Sequence, residues 1–105
     1  MASGRLGGAG LSADTNTLLY TVPVGKIATA NIRIANRAAT AAKIRVAIGN
    51  GGSPAAEDYI EYDQELPANG VIEDTGLVCS AGEKIWAYAN TANVSVRVHG
   101  FEETL

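Results

Sequence analysis

The segment Leu18-Leu19-Tyr20-Thr21-Val22-Pro23-Val24-Gly25-Lys26-Ile27-Ala28-Thr29-Ala30-Asn31-Ile32-Arg33-Ile34 decides the fold class. From Ala28 the residue types alternate, with Ala28, Ala30, Ile32 and Ile34 set against Thr29, Asn31 and Arg33. A period of two describes a strand with one face on a core and the other on water or a partner. Val22-Pro23-Val24-Gly25 supplies a turn, because proline fixes φ and cannot donate to a ladder while glycine accepts positive φ. Nothing helical lies between the two strands.

Working outward, Lys43-Ile44-Arg45-Val46-Ala47-Ile48 resumes the alternation and is predicted to pair antiparallel with the 27–35 strand. The connection over 36–42 is rich in alanine, a helix former, but is too short and uncapped to be a helix. Further strands are predicted over 58–62, over 71–79 with a bulge or kink at Thr75-Gly76, over 84–89 and over 94–100. Turn residues separate them about every ten positions. This pattern predicts an all-β fold, an antiparallel β-sandwich of about eight strands, jelly-roll or Ig-like. Ile32, Ile34, Ile44, Val46, Ile48, Val96 and Val98 are the expected core. Residues 1–16, rich in Gly, Ala and Ser without strand or helix period, are expected to be a flexible N-terminal arm ahead of a sandwich over 17–105.

A chain of 105 residues is the size of one domain, and 47% apolar with 6% aromatic residues predicts a core of small aliphatic side chains. The lone cysteine, Cys79, excludes an internal disulfide; it is read as a buried hydrophobe, with an intermolecular bond as the alternative. No apolar run approaches a membrane span, and the first ten residues lack the apolar core of a signal peptide, so a soluble, non-exported protein is expected. A net charge of −3 argues against nucleic acid as a partner.

The inventory for chemistry is poor. One histidine, His99, cannot build a multi-histidine metal site, and Cys79 and His99 each sit within a strand pattern. Glu57, Asp58, Glu61, Asp63 and Glu65 crowd together without the glycine-centred loop of a calcium hand, and read as a solvated acidic edge. No catalytic, metal-binding or cofactor-binding residue is assigned.

Charge is segregated instead. From Thr15 to Ala56 every charged residue is basic, and from Glu57 to Asp74 every one is acidic. Either the chain neutralises itself across a sheet, or a basic face of Arg33, Arg37, Lys43 and Arg45 meets an acidic edge bearing Glu61 and Glu65 on a neighbouring subunit. Trp86 and Tyr88 share one side of their strand and are candidate partner or glycan contacts.

An ordered series of segments resembles small virion structural proteins of tailed bacteriophages, including cyanobacterial phages. It comprises Leu19–Lys26, Asn31–Arg37, Asp58–Asp63, Leu66–Val71, Thr75–Val78, Ser80–Lys84 and Val94–Gly100. The resemblance covers roughly residues 17–102 and rests on the series, since no single motif is diagnostic. It implies a non-enzymatic virion protein, made in the host cytoplasm, that binds copies of itself and other virion proteins such as major capsid or tail proteins. A capsid decoration or cement protein is the favoured role, with a trimer as the favoured oligomer. A tail, neck, baseplate or fibre-attachment component, or a glycan or host-surface binding module, is the alternative.

Overall fold

The alternation that begins at Ala28 becomes an eleven-residue strand at the centre of one of two sheets. The computed structural model describes residues 3–104, and among them eight strands form. They are β1 (Ser3–Leu11), β2 (Thr17–Thr21), β3 (Lys26–Asn36), β4 (Ala42–Gly49), β5 (Tyr59–Leu66), β6 (Val71–Cys79), β7 (Lys84–Ala89) and β8 (Val94–Thr104). A short 3-10 turn over Ala56–Asp58 precedes β5. One sheet has the order β1-β8-β3-β6 and the other β2-β7-β4-β5.

All the ladders are antiparallel, and the pairs nest: β1 with β8, β2 with β7, β3 with β6, β4 with β5. The chain is thus one long hairpin, with β4 and β5 at its tip, wound so that β3–β8 and β4–β7 ladders stitch it into two layers. This is the double-sheet jelly roll; the strand order excludes the Ig-like alternative.

The sequence expectation that the 27–35 and 43–48 strands pair is corrected here. β3 bonds to β8 and β6, β4 bonds to β7 and β5, and the connection between them crosses from one sheet to the other. Period-two patterning assigns each strand a buried face but carries no record of its neighbours.

The expected arm is corrected as well. Residues 3–11 are β1, in register with β8 from Ser3↔Phe101 to Leu11↔Val94, so the sandwich begins well before residue 17. Met1 and Ala2 lie outside the described residues. Four of β1's nine residues are glycine, so it shows no side-chain period, yet its backbone pairs fully. The glycines also have a steric use. A Cβ on Gly7 would overlap the Leu19 carbonyl oxygen, so glycine lets β1 lean directly on β2 and close that side of the sandwich.

The core lies between the sheets and is aliphatic, with Ile32, Ile34, Ile44, Val46, Val96 and Val98 buried as expected and Ile48 partly buried against them. The bulge expected at Thr75-Gly76 is present: the β3–β6 register slips there and Gly76 takes φ 68°. Among the described residues, Asn36 and Glu102 are the buried polar or charged ones. Glu102 accepts a hydrogen bond from the Tyr20 hydroxyl. Asn36 donates from Nδ2 to the carbonyls of Thr40, Leu66 and Pro67 and accepts from the Ala38 N–H, tying the β3–β4 and β5–β6 connections together at one end. Cys79 is fully buried, and burial pushes its thiol up to about 11, which keeps it protonated at neutral pH.

Candidate assembly surface

Each sheet turns one face outward, and the two carry their charge differently. Strand parity decides what each face holds, and register decides which residues meet on it.

On the β2-β7-β4-β5 sheet, the outward rows are Asn90–Lys43–Glu65, Tyr88–Arg45 and Trp86–Ala47–Tyr59. Arg45 donates from Nε to Asp63 at 2.7 Å. Its guanidinium lies 4.2 Å from the Tyr62 ring centroid and 4.5 Å from that of Tyr88. Tyr88 donates its hydroxyl to Asp14 at 2.7 Å, and Tyr59 meets Tyr62 edge to face at 5.1 Å. The hydrogen bond from Arg45 holds the Asp63 carboxyl below its usual range. The charge of Arg45 is therefore satisfied within the chain, by a carboxylate and two aromatic faces. Lys43 stands opposite Glu65 in register, an opposite-charge pairing of β4 with β5. Trp86 is 9% exposed and its Nε1 is buried without a hydrogen-bond partner, so this ring is no open stacking platform.

The expected basic face is thereby divided. Arg33 projects from the other sheet, on the opposite side of the sandwich from Lys43 and Arg45, because β3 and β4 are not neighbours.

The outer face of the β1-β8-β3-β6 sheet gathers arginines that the sequence reading did not group. Arg33 on β3 stands directly opposite Arg97 on β8. Arg97 in turn is opposite Gly8 on β1. The guanidinium of Arg5 lies over Gly8, within 2.7 Å of where a Cβ on that residue would stand. Arg37, at the end of β3, donates from Nε to the Ser95 hydroxyl of β8 at 2.7 Å. A recess lined by Arg33, Ala35, Ser95, Val96 and Arg97 opens among them.

Among the described residues, one carboxylate answers this group: Glu73, at 3.6 Å from Arg33, both side chains well exposed. An exposed pair of that kind contributes roughly 0–1 kcal/mol. Like charges set directly across a ladder cost a similar amount, ~0.2–1 kcal/mol. The isolated sheet gains nothing from holding Arg33 against Arg97. The same face also exposes Phe101, Val78 and Val71, with Val78 and Phe101 both flanking Thr29 in register. Arginine beside exposed apolar side chains is the composition of a protein contact surface.

The lateral side that borders this face at β6 is acidic. There β5 and β6 lie at the edges of their sheets, and Glu61 of β5 meets Asp74 of β6. Burial and the hydrogen bond from one carboxyl group to the other raise the pKa of Glu61. Ile60, next to Glu61, is 46% exposed.

No protein-family model matches the chain, and no curated protein matches it significantly. A solved structure described as a pentameric capsid protein isolated from metagenomic phage sequences is similar. It shares 14% sequence identity over 92% of this chain with a TM-score of 0.44, and the match spans 64% of that chain. At this distance no property passes from one protein to the other.

Of the residues singled out from sequence, Arg33 and Arg37 belong to the arginine face. Lys43, Arg45 and Glu65 are partners of one another's strands, and Glu61 lies at the β5/β6 side. Arg5 and Arg97 were missed. Parity alone showed Arg97 pointing outward, but the β3–β8 ladder that sets it against Arg33 joins residues more than sixty positions apart.

Proposed function

We propose that this chain is a non-enzymatic structural protein of a tailed-bacteriophage virion, a capsid decoration protein that self-associates and binds the particle surface. The observation that carries the reading is the outer face of the β1-β8-β3-β6 sheet, where Arg5, Arg33, Arg37 and Arg97 gather near exposed Val71, on a face that also exposes Phe101 and Val78. Such a face gains the monomer nothing, and its composition suits it to being covered by another protein surface. The ordered sequence segments that resemble small phage virion proteins supply the context. Jelly rolls also serve as lectins and as cupins, so the fold by itself names no function. A metal-binding cupin centre would need more histidines than the one in this sequence. A lectin platform would need Trp86 open.

The test is location. Antibody-gold labelling of purified particles, with quantitative mass spectrometry, is expected to find many copies on the head shell. Absence of the chain from particles would refute the virion reading. Label confined to the tail or baseplate would refute the decoration role while leaving a structural one.

A further inference from the structure

We infer that the arginine face of one copy takes the acidic β5/β6 side of a second copy, in a head-to-tail contact. The inference deepens the proposed role, from which it takes the premise that the protein self-associates.

Three observations favour this occupant. The first is charge complementarity within a single sequence. The face gathers Arg5, Arg33, Arg37 and Arg97 and draws on Glu73 alone for an ion pair among the described residues. The β5/β6 side carries Glu61 against Asp74, with Glu57 just before β5. Guanidinium groups facing a carboxyl pair would give Glu61 and Asp74 the cations they lack and separate the like charges on both surfaces.

The second is shape and polarity. The recess has an apolar floor in Ala35 and Val96 between the rims of Arg33 and Arg97. Next to Glu61 in β5 stands Ile60, an exposed apolar side chain. An apolar anchor ringed by charges of opposite sign is an arrangement that fixes register as well as partner.

The third is that Arg45, on the outer face of the other sheet, is already committed. It is held by Asp63, Tyr62 and Tyr88, so its charge is not offered to a second copy. What remains open is positive on one sheet face and negative along the β5/β6 edge that borders it. Two different patches meeting make a heterologous contact, which closes into a ring if the rotation permits and extends otherwise. Nucleic acid is the less suitable occupant, because exposed Phe101 and Val78 share the face and the chain is acidic overall.

The test uses the full chain and two variants, Arg33→Glu/Arg97→Glu and Glu57→Lys/Glu61→Lys, with the milder Arg97→Gln as a check on folding. Each is followed by circular dichroism melting and by sedimentation velocity from low to high micromolar concentration across a salt series. Each double variant alone should melt cooperatively and self-associate at least about tenfold more weakly than wild type, with the largest difference at low salt. Mixed together, the two variants should form heterodimers, because one retains the acidic side and the other the arginine face. The quadruple variant should regain self-association. Unchanged association of the arginine variant, or a mixture that stays monomeric, would overturn the inference. So would a wild-type chain that is monomeric throughout, or a dependence on added oligonucleotide. Particle labelling distinguishes this failure from failure of the virion reading. If the arginine variant still self-associates but leaves the particle, the occupant is another virion protein and not a second copy.

Discussion

Replacing Asn36 with alanine should destabilise the sandwich more than any other polar-to-alanine change at its loop ends. Asn36 is 2% exposed. Its Nδ2 serves the carbonyls of Thr40 at 2.9 Å, Leu66 at 3.1 Å and Pro67 at 3.2 Å, and its Oδ1 takes the Ala38 N–H at 3.0 Å. Asparagine is suited to this because it carries two N–H donors, here shared among three carbonyls, and an acceptor on one rigid amide. Alanine leaves all four backbone groups without that partner. The Leu66 carbonyl is buried and bears the full penalty of ~1–3 kcal/mol, while the other three reach water in part and lose ~0.5–1 kcal/mol each. The sum is about 2.5–6 kcal/mol, against a total stability of roughly 5–15 kcal/mol. For a chain of this size each kcal/mol moves Tm by about 4–8 °C, so a fall of at least ~10 °C is expected. Asn31→Ala is the control, since Asn31 Oδ1 makes one exposed bond to the Gly76 N–H. Urea denaturation of both variants should show a lower midpoint at unchanged slope, with the larger drop in Asn36→Ala. If Asn36→Ala melts within ~3 °C of wild type, or together with Asn31→Ala, the loop-tying role is wrong.

Deleting residues 2–14 should remove an edge strand and expose the inner face of β8, so the chain should lose its cooperative melt; an unchanged Tm would restore the arm reading. Gly7→Ala should lower Tm by several degrees, because the new Cβ meets the Leu19 carbonyl, whereas Gly10→Ala meets nothing and should be close to neutral; equal melting of the two would refute the close approach of β1 and β2. Burial and the contact with Asp74 raise the pKa of Glu61, so the folded state favours its protonated form. Its contribution to stability is fully present below the unfolded-state pKa and is lost as pH rises through the folded one. Glu61→Gln should therefore be more stable than wild type at neutral pH, with the gap closing below about pH 4.5. Parallel pH–stability curves for the two proteins would refute this.

The sequence alone determined which residues face inward. Alternation over 28–34, 44–48 and 94–98 places Ile32, Ile34, Ile44, Val46, Val96 and Val98 in the core, because a strand's side-chain period is local and requires no knowledge of its neighbours. The Thr75-Gly76 bulge was legible for the same reason, being a backbone preference of one dipeptide. Strand neighbours were not legible. Pairing is decided by backbone hydrogen bonds that any residue except proline can make, and by which layer each connection enters. β1 shows the limit most clearly: its glycines erase the side-chain signal while permitting the backbone contact that closes the sandwich. The candidate surface divides along the same line. That Arg33 and Arg97 point away from the core follows from parity in each strand. That they stand side by side, with Arg5 over Gly8 beside them and Arg45 on the far face held by Asp63, was decided by the tertiary structure alone, because ladders between distant segments set which outward residues meet.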